Sequence, residues 1–202
     1  MTTGIRDFTL LLPPGWARIP LDERVPLRIK QLVDQRLSGA PVEHRTALRT
    51  GLTRELTDTL TRARRQGGLD VLLSLDPVAR TPVPASALVT HLGAGGGDGA
   101  VLDPLLGTLV SGGPGLDVVE LGVVEVAGAS AVRRRASRTE RVPTQGDLPG
   151  GVLRVTQLEY FVPIPGGGGL LVLAFSTPIA PLAEALVGLF DVVAASLRWV
   201  RS

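Results

Sequence analysis

Few residues in this chain are of a type and spacing that could do chemistry. Gly95-Gly96-Gly97-Asp98-Gly99-Ala100 satisfies G-x-G-x-x-A, with Glu120 twenty residues beyond Ala100. A dinucleotide site needs such glycines so that backbone can approach a pyrophosphate at a helix N-terminus. Here the helix pattern that follows contains Pro104 and Gly107, Asp98 would repel phosphate, and Glu120 falls inside the next strand pattern. With 25 glycines in the chain the match is cheap. No G-K-[ST] occurs, which excludes a P-loop.

His44 and His91 are the only histidines. Zinc would need both joined by carboxylates from distant segments, and nothing pairs them at ligand spacing. A triad could be drawn from His91, Asp98 and a serine, but no G-x-S-x-G elbow orients a nucleophile. Glu120 and Glu125 lie five apart in a strand pattern and so point to opposite faces. The expectation is a chain with no catalytic residue, no metal and no cofactor. A pocket at the Gly93–Gly99 loop beside His91, serving a small ligand or an enzyme's substrate, is the alternative.

Arg133-Arg134-Arg135 with Arg138 and Arg141 is the densest basic run. Arg133, Arg135 and Arg141 share one pleat face and Arg134 and Arg138 the other, with Glu140 interrupting. No aromatic is interleaved to stack on bases. The run is expected to be an exposed strand blunted by charge against edge pairing, with an anionic partner surface as the functional reading. Arg134-Arg135-Ala136-Ser137 also resembles a basophilic kinase site.

Composition narrows the class. The 202 residues suffice for one domain with a substantial core. Hydrophobic content of 44% with 20% charged residues is ordinary for a globular protein, and 3% aromatics make the core aliphatic. The formal charge of +2 is too small to imply a nucleic-acid partner. The pI near 9.9 reflects base supplied almost wholly by arginine, Lys30 being the only lysine. Without cysteine there are no disulfides, catalytic thiols or lipid attachment through an N-terminal Cys. The opening MTTGIRDFTLLLPPGW lacks the charged n-region and longer apolar run of a secretory signal, so a cytoplasmic location is expected. Pro178–Leu197 is apolar but carries Glu184 and Asp191, each costing about 2.5–3.5 kcal/mol at a bilayer centre, so no membrane insertion is expected.

The elements follow from periodicity. Phe8–Leu12 is a short strand stopped by Pro13-Pro14-Gly15, a type II turn, with Trp16 folding over the sheet edge. Val25, Ile29, Leu32, Val33 and Leu37 recur at helical spacing behind Asp22 as N-cap. A second helix runs to about Gln66, with Leu48, Leu52, Leu56 and Leu60 as a slowly drifting stripe. The two should form an antiparallel hairpin, inserted at about 22–66. Leu69–Leu75 alternates with Asp70 and Ser74 as a half-buried strand. Ser86–Leu92 is the next strand, Leu102–Val110 a weak helix, and Leu116–Val126 with Ala129–Val142 an antiparallel pair turning at Ala127-Gly128. Val152–Val162 and Leu170–Phe175 form a hairpin; LLVLAF is apolar on both pleat faces, so that strand is central and covered on both sides. Thr177-Pro178 caps a long last helix reaching Val200, whose thin Glu184–Asp191–Arg198 stripe predicts a helix buried over most of its circumference, by the sheet and by the hairpin or a second subunit.

The strand running into the PPGW turn, Phe8–Trp16, and the closing hairpin and helix within Ala129–Trp199 together resemble the PsbP-like superfamily; the middle matches in its order of elements. That superfamily includes photosystem accessory proteins, nuclear Ran-binding release factors and actinobacterial lipoproteins of the LpqN type. The resemblance implies a twisted antiparallel sheet flanked by helices on both faces and a non-catalytic accessory or binding protein. It shares no catalytic motif, so it assigns no residue.

The sequence therefore predicts a single α+β domain spanning 1–202. It is an α/β/α sandwich on a mainly antiparallel sheet of about six to seven strands. It is expected to act as an accessory or adaptor protein that binds another protein, a homodimer being the other use of its surface. The candidate partner surface is Arg133, Arg135, Arg138 and Arg141 on the strand, with Leu52 and Leu56 on the hairpin.

Overall fold

The computed structural model describes residues 5–37, 42–75, 83–93, 109, 115–142, 150–166 and 168–201. In chain order the elements are β1 (Ile5–Thr9), β2 (Trp16–Pro20), α1 (Val25–Arg36), α2 (Val42–Arg65), β3 (Gly68–Ser74), β4 (Ser86–Leu92), β5 (Leu116–Val126), β6 (Ala129–Val142), β7 (Gly151–Pro163) and β8 (Leu170–Thr177). A 3-10 turn (Ala180–Leu182), α3 (Ala183–Ala195) and β9 (Arg198–Arg201) close the chain. Strands β2-β3-β4-β8-β7-β6-β5 form one antiparallel sheet, and β1 and β9 form a separate antiparallel ribbon.

The apolar run LLVLAF lies in the middle strand of the seven. Leu171, Leu173 and Phe175 face α3, where Phe175 stacks on Phe190 at 4.9 Å and Trp16 meets Phe190 edge-on at 6.3 Å. Leu170 and Val172 face the other side with Val132, Phe161 and Leu109. On that side the α1–α2 hairpin covers β2 and β3, burying Ile29, Val33 and Leu60 against Ile19 and Val71. Helices thus lie on both faces of the sheet, and the fold is α+β. The tight turns are also as expected. Gly15 has φ 78° and the Trp16 amide donates to the Pro13 carbonyl at 3.2 Å. Ala127 and Gly128, with φ 52° and 77°, form the turn that suits a two-residue hairpin.

Two strands escaped the sequence reading, and they exchange partners with one that did not. The opening strand sits at Ile5–Thr9 rather than Phe8–Leu12, and it pairs with β9 outside the large sheet. The strand beside β3 at the sheet's edge is β2, five residues with no clean alternation. The last helix stops at Ala195 rather than running on to Val200. The Ser196 hydroxyl donates to the Val193 carbonyl at 2.6 Å and accepts the Leu11 amide at 2.9 Å. The chain then turns into β9, with Phe8 opposite Trp199. Arg198, expected on the helix stripe, belongs to that strand, and its guanidinium caps the Ala195 carbonyl at 3.0 Å.

Both expected helix caps are different. Asp22 does not cap α1, whose N-cap is Arg24; it accepts the Arg24 amide and the Arg28 guanidinium. Thr177 ends β8, donating to the Pro84 carbonyl at 3.1 Å and accepting the Ile179 amide, and α3 starts after a 3-10 turn. Asp70, placed on the polar face of a half-buried strand, is only 3% exposed, because Arg18 lies on it at 2.8 Å. The expected helix at Leu102–Val110 lies outside the described residues except for Leu109.

Gly68, where α2 hands over to β3, has no room for a side chain. A Cβ there would meet the Ala63 carbonyl at 2.7 Å, Leu21 at 2.8 Å and Leu88 at 3.0 Å. The carbonyl is backbone and cannot swing aside. Gly68→Ala is expected to cost roughly 1–3 kcal/mol, read as a lowered urea midpoint with unchanged slope. Gly51→Ala, with open space around it, is the control and should leave the midpoint the same or higher.

Candidate binding surfaces

The arginine strand is an interior strand, not an edge: β6 lies between β7 and β5. Arg133, Arg134 and Arg135 are paired within the molecule, which corrects the expectation of an exposed basic strand over that part of the run. Arg133 donates through Nε to Asp191 at 2.8 Å, through Nη2 to the same carboxylate at 3.2 Å and through Nη1 to Glu120 at 2.8 Å. Arg135 reaches Glu120 at 3.1 Å and pairs with Glu184 through both terminal nitrogens. On the opposite face Arg134 donates to Glu159 at 2.6 Å and lies over the Phe161 ring. Arg138 pairs with Glu140, and Arg141 stands exposed at the strand's end. Ser137 is 7% exposed and accepts a hydrogen bond from Arg154 at 3.0 Å, so the kinase-like motif presents a buried hydroxyl.

The polar stripe of α3 therefore points at arginines of the sheet. The helix is not enclosed: Val192 is 67% exposed, which overturns the expectation of a helix covered nearly all round. Tyr160 joins the cluster, donating its hydroxyl to Asp191. Burial, and then this hydrogen bond to a carboxylate, push its phenol well above the ordinary tyrosine value. The Asp191 contact, against a smaller cost of burial, holds the Arg133 guanidinium above its ordinary range. Arg133 holds Glu120, and Arg135 holds Glu184, below the usual carboxylate range.

Two clefts remain. The first, about 620 Å³, opens between α1, α2 and β3 and is walled by Leu32, Leu52, Leu56 and Leu73 with Arg36 and Glu55 at its rim. The leucine stripe grades along α2: Leu60 is sealed at 1% exposure, Leu52 and Leu56 are half-buried, and Leu48 is 45% exposed. The second, about 820 Å³, is walled by Phe8, Leu69, Ile164, Leu171 and Trp199, with Asp7, Arg18, Asp70 and His91 as its polar groups. Arg18 lies over the Phe8 ring at 4.6 Å and holds Asp70 at 2.8 Å. His91 shares a 2.6 Å hydrogen bond between its Nε2 and the Gly168 carbonyl. The described residues of this cleft come from β1, β2, β3, β4, the β7–β8 turn, β8 and β9. Asp98 and the G-x-G-x-x-A run lie outside the described residues. His44 falls at the start of α2, far along the chain from His91. Among the described residues no cluster of three or more histidines and carboxylates could hold a metal ion, and no helix is long and apolar enough to cross a membrane. Sequence reasoning missed the Arg18–Asp70 pair and the Asp191–Tyr160 contact. Only the parity of Asp70 against Arg18 in two short strands could have signalled the first.

No family model and no curated protein matches the sequence. Among solved structures, the chain is similar over 96% of its length to LpqN, involved in cell envelope biogenesis of Mycobacterium tuberculosis. Identity is 15%, the TM-score 0.49, and 83% of that chain is covered. It is also similar over 96% of its length to the cyanobacterial PsbP (CyanoP) of Synechocystis sp. PCC 6803, at 14% identity and TM-score 0.45, covering 86% of that chain. The resemblance drawn from the PPGW turn and the closing hairpin names these same two kinds of protein. These similarities identify no residue and no partner.

The clasp formed by Arg133 and Arg135 with Glu120, Glu184, Asp191 and Tyr160, together with the separate Asp22–Arg28 pair, gives stability a defined pH profile. Free carboxylates titrate near 4.3 and tyrosine near 10. Glu120 and Glu184, and Asp22, held down to about 2 chiefly by its hydrogen bond from Arg28, keep their charge to lower pH in the fold. Their contribution is complete above the unfolded values and is lost as pH falls through the lowered folded ones. Tyr160 acts in reverse, since the unfolded chain releases its proton first, so stability falls as pH rises past about 10. The urea midpoint should be level from about pH 6 to 9 and drop on both sides. Tyr160→Phe should flatten the alkaline drop and Glu184→Gln shrink the acid one. An unchanged alkaline limb in Tyr160→Phe would refute the assignment.

Proposed function

We propose that the chain is a non-catalytic accessory protein that works in the cytoplasm by binding another protein at the leucine cleft between α1, α2 and β3. The observation that carries this reading is the cleft itself, about 620 Å³ walled by Leu32, Leu52, Leu56 and Leu73. Leucines packed only for the core would close over one another, as Leu60 does; Leu52 and Leu56 instead stand half-open at the mouth. Arginines outnumber carboxylates along α2, so the partner segment that suits the groove is an amphipathic helix with acidic residues flanking its apolar face. Arg133 and Arg135 are committed to the clasp, which leaves Arg138 and Arg141 as the strand's contribution to any partner surface. Purification of the tagged protein from its own cells, beside a Leu52→Asp/Leu56→Asp variant, tests the reading. The expected result is a co-purifying protein lost from the variant while circular dichroism and melting temperature show it folded. Leu48→Asp, at the exposed end of the stripe, serves if the double variant unfolds. Retention of the same protein by the folded variants would overturn the reading.

A second reading is favoured by the larger cleft. At about 820 Å³ it has the size and apolar walls of a small-molecule site, and Trp199 stands in its wall. A small ligand seated there should change the emission of Trp199 in a Trp16→Phe background, and Leu69→Arg, which crowds the mouth, should abolish the change. A fragment screen that leaves Trp199 emission unmoved would dismiss this reading.

A further inference from the structure

The large sheet ends at β5, and that edge is built unlike the other. Among the described residues the eleven-residue strand pairs only with β6. Its outer side therefore presents backbone N–H and C=O groups that no described strand satisfies. The opposite edge, β2, is five residues long and closes on Pro20, and shortness and proline both blunt an edge against pairing. LDVVELGVVEV has no proline and no basic residue, and its one irregularity is a bulge between Val118 and Glu120. Val119 and Val123 are 54% and 58% exposed.

Every charge on this strand is negative. Glu120 is neutralised by Arg133 and Arg135, whereas Asp117 has Arg154 only at 3.8 Å, with both side chains largely in solvent. Glu125 stands exposed at the far end. A second copy of β5 laid along this edge would set carboxylates against carboxylates, and like charges across a strand pair are destabilising. A strand of opposite charge meets no such penalty.

We propose that β5 is an acceptor edge that takes an extended segment of a partner protein, alternating apolar with arginine or lysine residues, as an eighth strand of the sheet. Backbone hydrogen bonds to the open edge would supply affinity. Val123 would receive an apolar side chain on one pleat face, Asp117 would select for basic ones on the other, and Glu125, on the face of Val123, for a basic residue at the segment's end. This site is separate from the leucine cleft, which lies on the hairpin at the β2 end of the sheet.

The probe is a nine-residue synthetic peptide alternating arginine with valine, titrated into the full chain and followed by calorimetry and amide hydrogen exchange. Slowed exchange confined to β5 is expected, with affinity falling at least tenfold in Val123→Lys. Asp117→Lys/Glu125→Lys should prefer the same peptide with glutamate in place of arginine. Val123→Thr, which keeps a strand-forming side chain, should retain binding and guards against a folding effect. Equal binding of the arginine and glutamate peptides to the unaltered protein would overturn the proposal, as would protection mapping to other strands. So would a concentration-dependent dimer in sedimentation that Val123→Lys dissolves, since the occupant would then be a second copy.

Discussion

The structure depends on covering β8 from both sides. Its residues are apolar in succession rather than in alternation, so whichever way the pleat turns, one face needs a partner and the other needs another. Leu171, Leu173 and Phe175 take theirs from α3. Leu170 and Val172 take theirs from the same side as the helical hairpin. This requirement places β8 fourth of seven strands, and the layer order follows from it. The hydrophobic driving force behind it is large: each Phe or Leu side chain fully withdrawn from water contributes about 1.5–3 kcal/mol.

Apolar packing alone would let α3 slide or roll on this sheet, because leucine and valine are tolerant of register. The arginine clasp removes that freedom. Asp191 and Glu184 are seven residues apart on the helix, roughly 10 Å along its axis, while Arg133 and Arg135 are about 6.6 Å apart along the strand. Rising numbers on β6 meet falling numbers on α3, so the helix runs opposite to that strand, and the long arginine side chains absorb the difference in spacing. Such pairs contribute modestly to net stability once desolvation is counted. Their larger effect is to favour one seating of the helix, because any other leaves partly buried guanidinium groups without carboxylates.

The parts legible in the sequence are those where one local signal sufficed. The β5–β6 pair was bounded to the residue because two long alternating runs flank a two-residue turn. The α1–α2 hairpin was bounded by its periodic leucines, and β8 by its unbroken apolar run. The parts that were not legible depend on distant partners. β2 and β9 are four or five residues long, too short for periodicity to register, and each is a strand only because β3 or β1 lies beside it. The arginine run misled for the same reason. Its composition is that of a solvated basic edge, and only the positions of Glu120, Glu184 and Asp191 in three dimensions convert it into an internal lock. Asp70 shows the limit most plainly, since a carboxylate in an alternating strand is assigned to water unless the arginine that neutralises it is known.

The β1–β9 ribbon sets Phe8 against Trp199, and the central ladder sets Ser86 against Ser176. Contacts of such sequence separation must pay for closing long loops before they return any stabilisation, so topologies rich in them fold slowly. Here the ordering is also fixed by synthesis. β2, β3, β4 and the helical hairpin are complete long before β8 and α3 leave the ribosome, and until then one face of their sheet has nothing to cover it. During that interval the chain carries an uncovered apolar surface and an open β4 edge, the conditions under which a nascent protein depends on holding chaperones.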